Sequence, residues 1–397
     1  DRKMEGPDHA ASLEIKEFRN LLKGIREIDE ALGSNKERVV SQGEMINREN
    51  LGKSLVADGE IFEGTVINSS HIKVRSPGQG LSPQNYERLL GKTLKRSMAD
   101  EDFFFLSDIT EEKVLPKGYS FSRPWGVPVR YHDFKEYSIK IKPDFFEFHL
   151  SYSDMILNPN KYIKKISNTG FVVHAPELFS NSHLMDLATS NESYREESIT
   201  QTQKVIDITR DLNKFFPSSK RPMIVANVGG FSMDEPIGDD KKNKLYETFG
   251  ESLKKLDTKD VEIIPQTMAP FPWHFGGQRF QNIFVMPDEI VKWCNKFDIR
   301  MCFDVSHSML TCNHFGLDFY EFADEISSVT AYLHMGDAKG VNGEGLQIGE
   351  GEIDFQKLSI ILNEKCPDAG FIPEIWQGHK NGGEGFWVAL NKLEGVL

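Results

Sequence analysis

The sequence predicts an α/β fold in which a (β/α)₈ barrel follows a small β-rich domain and an N-terminal helix. Apolar runs and helix-like stretches alternate through the last two thirds of the chain, which is the pattern of parallel β/α units. Four of these runs end in a Gln, Asp, His or Glu, at the position where such a barrel assembles its site. The chain has 397 residues, and one barrel needs about 250 of them.

The first predicted element is an amphipathic helix over residues 14–32. Its apolar side chains recur at helical spacing, with Ser12 as a suitable N-cap and Gly33 as a stop. A lone amphipathic helix cannot bury its own apolar face. We therefore expect it to belong to another domain or to a partner, and we expect the N-terminus, which lacks an initiating Met, to be a cut through a longer polypeptide.

Residues 35–110 predict a small domain of short strands, since extended runs alternate there with turn signals such as VADGEIFEGTVI (56–67) and SPGQGLSP (76–83). This stretch resembles the antifreeze-like (SAF) domain that ends sialic-acid synthases, and residues 1–34 resemble the end of the synthase barrel. The resemblance implies a parent polypeptide, homo-oligomeric at full length, that condenses phosphoenolpyruvate with an N-acetylated hexosamine. It also implies that the catalytic synthase barrel is absent from this chain.

The loop of the SAF-like segment departs from the pattern of its relatives. Related synthases often read KRPGNG there, and the Arg reaches the substrate. This chain reads RSPGQG, so Ser76 stands at the usual Arg position and Arg75 precedes it. The resemblance makes Arg75 a candidate substrate-binding residue, with a solvated loop Arg as the alternative.

Residues 111–119 predict a linker, and residues 120–397 predict the barrel. Seven of the eight strands are visible as apolar runs, and one is not. The visible runs are 144–150, 170–177, 221–230, 261–266, 299–305, 329–337 and 370–376. Helical patterns such as residues 193–216 and 286–297 lie between them.

Three polar residues at predicted strand ends, Asp304, His334 and Glu374, indicate a metal site. An open catalytic metal site needs carboxylate and imidazole ligands from different strands, with positions left for water or substrate. For any one of these residues the alternative is a polar group satisfied by the backbone. The three together favour a divalent metal ion.

Several segments resemble the xylose-isomerase-like barrel superfamily, which includes sugar-phosphate isomerases and epimerases and the endonucleases of the endonuclease-IV type. They are HAPE (174–177), DVSH (304–307), HMGDAKG (334–340) and PEIW (373–376). The resemblance implies a divalent ion such as Mn, Mg, Co or Zn, and a substrate-facing histidine at His307. It places the metal ligands at Gln266, Asp304, His334 and Glu374.

Gln266 departs from the superfamily, whose isomerases and epimerases usually have Glu at this strand end. A carboxamide can bind a metal through its oxygen, but it cannot act as a general base. Epimerisation by two bases is therefore put in doubt. Glu374 remains as a single catalytic base, with His307 or Lys339 orienting or polarising the substrate.

Other residues near the strand ends are candidates for contacts with a sugar. His174 predicts a substrate-binding side chain, with a hydrogen-bonded core histidine as the alternative. Trp273 and His274 lie in a loop rich in proline and aromatic residues and predict an apolar wall for a sugar ring. The alternative for that loop is simple packing over the barrel mouth.

Composition excludes several function classes. A net charge of −13 and a pI of about 5.4 leave no basic field for a nucleic-acid backbone. Asn227 also stands where endonuclease relatives have a zinc-binding histidine. No apolar run is long enough to span a membrane, and the 4 cysteines show no CxxC spacing, so we expect a reducing, cytoplasmic location.

The sequence thus favours a metal-dependent isomerase or epimerase of a small sugar or sugar phosphate in nonulosonic (sialic) acid biosynthesis. The alternative is a non-catalytic barrel of an N-acetylneuraminate synthase that binds a sugar or regulates the synthase. Gln266 decides between them, because it marks either a changed catalytic site or a lost base.

Overall fold

A computed structural model describes residues 2–33, 42–110, 114–164, 169–233, 235–272 and 279–397. The chain divides into two compact units, residues 1–40 and 41–397. None of the helices among the described residues is both long and apolar enough to cross a bilayer.

The first unit contains the helix α1 (Ile15–Leu32), as predicted. A capping box begins it, because the Glu14 side chain accepts from the first turn while the Glu17 side chain accepts from the Glu14 backbone N–H. Gly33 ends it with a φ of 59°, a conformation that favours glycine. The apolar face of the helix is exposed: Phe18 keeps 52% and Ile28 61% of its surface accessible.

The second unit begins with a small module, residues 42–110. It contains α2 (Gln42–Leu51), the antiparallel strands β1 (Ser54–Ala57) and β2 (Ile72–Arg75), and the short helix α3 (Tyr86–Leu89). Its own small core is apolar and fully buried, with Leu55, Leu89, Leu94 and Phe104 among its members.

Eight parallel strands form the barrel that follows. They are β3 (Gly126–Val129), β4 (Phe145–His149), β5 (Gly170–His174), β6 (Met223–Ala226), β8 (Glu262–Pro265), β10 (Met301–Asp304), β11 (Thr330–Met335) and β14 (Gly370–Pro373). Hydrogen-bonded ladders join β3 to β8 and β10 to β14. Parallel bridges between Gln266 and Cys302 and between Trp125 and Phe371 close the ring.

Short antiparallel pairs extend from the barrel loops: β7 (Phe231–Met233) with β9 (Arg279–Gln281), and β12 (Asp337–Lys339) with β13 (Gly343–Leu346). Helices cover the outside of the barrel. They are α4 (Phe134–Lys140), α5 (Glu192–Asn213), α6 (Asp239–Lys255), α7 (Pro287–Phe297), α8 (Val305–Phe315), α9 (Phe319–Ile326), α10 (Phe355–Lys365) and α11 (Lys380–Leu393).

The strand that the sequence did not reveal is β3. Its residues Val127 and Val129 are buried against the outer helices. Gly126 and Pro128 alternate with these valines along the strand and therefore lie on its inner face. A Cβ at Gly126 would lie 2.4 Å from the Phe145 ring, so glycine is required where that ring fills the barrel. Gly and Pro are poor strand signals, which explains the missing prediction.

Candidate functional site

The barrel interior is built in two layers that follow the two-residue period of its strands. The lower layer is apolar and comprises Phe145, Val172, Val225, Ile264, Cys302, Tyr332 and Ile372. Two residues further along each strand the side chain is polar. These upper residues are Glu147, His174, Asn227, Gln266, Asp304, His334 and Glu374. The polar layer lies at the C-terminal ends of the strands, as in other barrels of this kind.

A cavity of about 520 Å³ opens above the polar layer. His174, Gln266, Asp304, His307 and Glu374 line it. The structure therefore brings together the predicted metal-ligand and base positions, except that His334 lies beneath the others and is fully buried.

Three side chains approach closely enough to share a metal ion. The ligand atoms of His174, His334 and Glu374 all lie within 4.8 Å of one another. His334 Nδ1 is 2.6 Å from Glu374 Oε2, yet this buried nitrogen makes no hydrogen bond of acceptable geometry. Burial disfavours the charged imidazole, but neighbouring groups that include Glu374 raise the pKa of His334 well above its usual value. A divalent ion would therefore displace the His334 proton and take both side chains as ligands.

Gln266 and Asp304 complete the set on the other side. Gln266 Nε2 donates to Asp304 Oδ2 at 3.2 Å, and Asp304 Oδ2 lies 3.8 Å from His334 Nδ1. Asp304 and His334 are direct neighbours in the ladder between β10 and β11, which explains their proximity. The hydrogen bond to Asp304 orients the amide of Gln266, so that its oxygen points toward His174.

The contact between His174 and Gln266 also fits a cation. Burial, followed by the neighbouring His149, lowers the pKa of His174, so its ring is neutral and carries one proton. His174 Nδ1 lies 3.0 Å from the Ala175 carbonyl oxygen, which can only accept. With the proton at that bond, the Nε2 lone pair faces Gln266 Oε1 at 3.0 Å. A divalent ion would convert this meeting of two acceptors into a pair of ligands.

Charge in the layer is balanced by contact between acids and imidazoles. Burial favours the neutral acid at Glu374, but His334 holds the pKa of Glu374 well below its usual range. Burial has the same effect at Glu147, and there too His334 and His149 keep the pKa low. Both acids are therefore carboxylates.

Glu147, which was not among the predicted site residues, contacts the second ring nitrogen of His334, on the side away from Glu374. It is fully buried, accepts from the Tyr332 hydroxyl at 2.5 Å and lies 3.2 Å from His334 Nε2. A carboxylate on the second nitrogen of a metal-binding histidine fixes its ring and raises its basicity. The signal that could have found Glu147 is the alternation FFEFH, in which it follows Phe145 by two residues.

His307 lies beside the group and lines the cavity. Its backbone N–H donates to Asp304 Oδ1 at 2.8 Å, and its Nδ1 lies 2.9 Å from the Thr267 carbonyl oxygen. Its Nε2 lies 3.1 Å from Glu344 Oε1 on β13. Glu344 was not predicted, because it reaches the cavity from a hairpin and not from a strand end.

Two other predicted residues, Lys339 and Arg75, are not among the described residues that line the cavity. Lys339 is exposed at the end of β12, where the pairing with β13 is irregular. Arg75 is exposed on the small module and pairs with Glu101 at 3.3 Å. Their roles as substrate contacts stay predictions. Trp273 and His274 lie outside the described residues, so their role stays a prediction.

Three protein-family models match the sequence. The xylose isomerase-like TIM barrel model matches residues 140–389, the NeuB family model matches residues 1–37, and the SAF domain model matches residues 52–109. The resemblances seen in the sequence are confirmed for all three segments.

Curated relatives match about a quarter of the chain. N,N'-diacetyllegionaminic acid synthase of Campylobacter jejuni is 34% identical over 102 residues, which make up 26% of this chain and 30% of that protein. Human N-acetylneuraminate-9-phosphate synthase is 36% identical over 104 residues, or 26% of this chain and 28% of that protein. The chain thus spans less than a third of the length of these relatives.

Among solved structures, a D-tagatose 3-epimerase-like protein superposes with a TM-score of 0.50 at 17% sequence identity. The match covers 69% of this chain and 98% of that one. At this identity the similarity shows the fold of the barrel.

Proposed function

Because the chain belongs to the xylose isomerase-like TIM barrel family, we propose that its barrel is a metal-dependent isomerase of an amino sugar or its phosphate, acting in nonulosonic acid biosynthesis. The reaction class is suggested by the sugar isomerases and epimerases of this superfamily. The sugar class is suggested by the accompanying NeuB and SAF segments and by the synthases that match the chain.

The observation that carries the proposal is the group of His174 and Glu374, which line the cavity, and His334, which is buried beside them. Gln266 Oε1 and Asp304 Oδ2 adjoin it. A divalent ion held there would stabilise negative charge that develops on substrate oxygens.

Glu374 is the group that moves the proton. As a carboxylate at the cavity floor it can take the C–H proton from a hydroxyl-bearing carbon beside a sugar carbonyl and return it to the carbonyl carbon on the same face. The proton of that hydroxyl passes to the former carbonyl oxygen, so the carbonyl moves to the neighbouring carbon. Gln266 has no proton-accepting group, so inversion of a carbon by a second base at that position is not available. This contrast favours an isomerase over a two-base epimerase.

A second function is favoured by the hydrogen bonds of Gln266. Its amide is engaged by Asp304 and faces His174, which suits a barrel that holds metal and sugar without turnover. Such a barrel would bind a sugar or regulate the synthase from which the NeuB and SAF segments derive.

Solvent exchange of the sugar proton tests the first proposal. The protein is incubated in D₂O with Mn²⁺, Mg²⁺, Co²⁺ or Zn²⁺ and with N-acetylated hexosamines or their 6-phosphates, and proton NMR follows the hydrogen beside the carbonyl. We expect exchange by the wild type and a loss of roughly 10²- to 10⁴-fold in Glu374→Gln, the usual contribution of a general base.

The other outcomes separate the two functions. Sugar binding without exchange under every metal would support the binding barrel and reject the isomerase. Neither binding nor exchange with any of these sugars would reject both functions for this sugar class.

A further inference from the structure

The small module supplies part of the wall of the barrel cavity. Glu49, near the end of α2, lines the cavity together with residues of the barrel, and its side chain is 18% exposed. Glu49 Oε2 accepts from Gln377 Nε2 at 2.7 Å, and Glu49 Oε1 lies 3.1 Å from Lys380 Nζ. A residue that precedes the barrel by more than 70 positions in the sequence therefore reaches the candidate site.

A second contact joins the same two parts of the chain. The Ser107 hydroxyl donates to Glu384 Oε2 at 2.8 Å and accepts from Asn381 Nδ2 at 3.0 Å. Both contacts are made by residues 377–384, the segment that follows Glu374 after the last strand. The module is thus attached at two points to residues 377–384, the segment that follows the candidate metal ligand Glu374.

The backbone of this segment is shaped at the anchoring residues. Gln377 and Asn381 have φ values of 59° and 50°, in the left-handed region that residues other than glycine rarely adopt. Both residues donate side-chain hydrogen bonds to the module. Unfavourable backbone conformations persist where surrounding contacts stabilise them. The hydrogen bonds to the module are such contacts, so they help to fix the conformation of this loop.

The position of Glu49 is also fixed from the module side. The Gly78 N–H donates to the Glu49 carbonyl oxygen at 2.9 Å, which ties the end of α2 to the SPGQG loop. Glu49 is therefore held between its own module and the barrel, and its carboxylate faces the cavity from a defined place.

The charge and hydrogen-bonding capacity of Glu49 determine which chemical group of a ligand it can bind. A carboxylate accepts about four hydrogen bonds, and two described partners, Gln377 and Lys380, occupy one oxygen each. The remaining capacity suits a neutral donor, such as a sugar hydroxyl or an acetamido N–H. It does not suit a phosphate or a carboxylate, which would repel it.

We propose that the small module and the barrel form one binding site, in which Glu49 is a specificity-determining residue that accepts a hydrogen bond from a hydroxyl or acetamido group of the sugar. This inference rests on the proposed sugar-binding function of the barrel.

The test measures sugar affinity in the chain as it stands, loaded with Mn²⁺, by calorimetry with N-acetylglucosamine, N-acetylmannosamine and their 6-phosphates. For the sugar that binds the wild type, we expect Glu49→Gln and Glu49→Ala to weaken binding by about 10- to 100-fold, since a hydrogen bond to a charged group is lost. The Mn²⁺ affinity of both variants should equal that of the wild type.

Two control variants separate contact with the sugar from simple docking of the module. Glu87→Gln removes the same charge from an exposed position on α3 and should bind as the wild type does. Ser107→Ala weakens the second anchor without touching Glu49, and should lower stability while leaving the sugar affinity within a few-fold.

The outcomes distinguish this inference from the function on which it rests. Wild-type affinity in both Glu49 variants would overturn the inference while leaving the sugar-binding function intact. An equal loss in Ser107→Ala would also overturn it, since Glu49 would then act only as a clamp. A wild type that binds none of the sugars would reject the proposed function and the inference with it.

Discussion

At the scale of single residues, Gln266 sets the chemistry of the site. It stands where a second carboxylate would lie against Asp304, and its amide donates to Asp304 Oδ2 at 3.2 Å. The amide keeps an oxygen toward His174 and avoids two adjacent negative charges in a buried layer. Under the proposed function, Gln266 would bind the metal through its oxygen but could not act as a base.

The variant Gln266→Glu tests this account. Without metal, the new carboxylate would lose the hydrogen bond to Asp304 and repel it, so we expect the free energy of unfolding to fall by roughly 1–3 kcal/mol. A divalent ion should bind the new carboxylate and offset the loss, so the rise in melting temperature on adding Mn²⁺ should exceed that of the wild type. Thermal unfolding with a chelator and with Mn²⁺ measures both effects.

Gln356→Glu is the matched control, because it adds the same charge at an exposed position on α10. It should change neither the stability in chelator nor the response to Mn²⁺. An identical Mn²⁺ response in Gln266→Glu and the wild type would show that position 266 does not contact the ion.

Prediction from sequence was most effective for residues at strand ends. Gln266, Asp304, His334 and Glu374 lie in one layer because each follows an apolar residue by two positions on its strand. Glu147 obeys the same alternation, but its run FFEFH has no metal-binding resemblance to mark it. Lys339 was assigned by motif similarity alone, and it is exposed at the end of β12.

At the scale of elements, the loop between β5 and α5 contains a buried acid that links stability to pH. Asp186 keeps only 5% of its surface exposed. It accepts from the Gly230 N–H at 2.9 Å and the Ala188 N–H at 3.1 Å. Burial raises the pKa of Asp186 from 3.8 to about 6 despite these hydrogen bonds.

Stability should therefore decline as pH rises through this range. The folded state binds the proton of Asp186 more tightly than the unfolded chain does, so its contribution is full below about pH 4 and is lost by about pH 6. The shift corresponds to roughly 2–3 kcal/mol. Urea denaturation of Asp186→Asn between pH 4 and pH 7 should show a flatter dependence than the wild type.

Asp368→Asn serves as the control, since Asp368 is exposed, and its pH dependence should follow that of the wild type. An unchanged slope in Asp186→Asn would mean that Asp186 does not carry the linkage.

Most elements were predictable because their residue patterns are local. The helix α1 follows from its apolar spacing and its caps, and seven of the eight barrel strands follow from apolar runs. β3 was missed because Gly126 and Pro128 supply its interior side. Only the ring of Phe145, which reaches Gly126 from the next strand, makes those residues suitable.

At the scale of the whole molecule, the place of Glu49 in the cavity wall depends on a backbone approach inside the small module, between α2 and the SPGQG loop, that is too close for any side chain. A Cβ at Gly78 would lie 2.1 Å from the Arg48 carbonyl oxygen. We expect Gly78→Ala to push α2 away from the SPGQG loop and to lower the free energy of unfolding by roughly 1–3 kcal/mol, the usual cost of overpacking. Urea denaturation measures the loss.

The same variant should weaken sugar binding, because α2 carries Glu49 into the cavity wall. Gly118→Ala is the control, since a Cβ there would meet open space. Wild-type stability in Gly78→Ala would contradict the close approach. Reduced stability with wild-type sugar affinity would show that the position of Glu49 does not depend on it.

The sequence by itself determined the kinds of element, the barrel and the polar residues at the strand ends, because a two-residue or 3.6-residue period can be read from neighbouring residues. Only the tertiary structure decided which distant groups meet. Glu147 behind His334, Glu344 beside His307 and Glu49 beside Gln377 come from different strands, a hairpin and a preceding module. Each of these contacts joins residues that are far apart in the sequence, so it depends on the packing of whole elements against one another. A pattern of neighbouring residues carries no information about that packing.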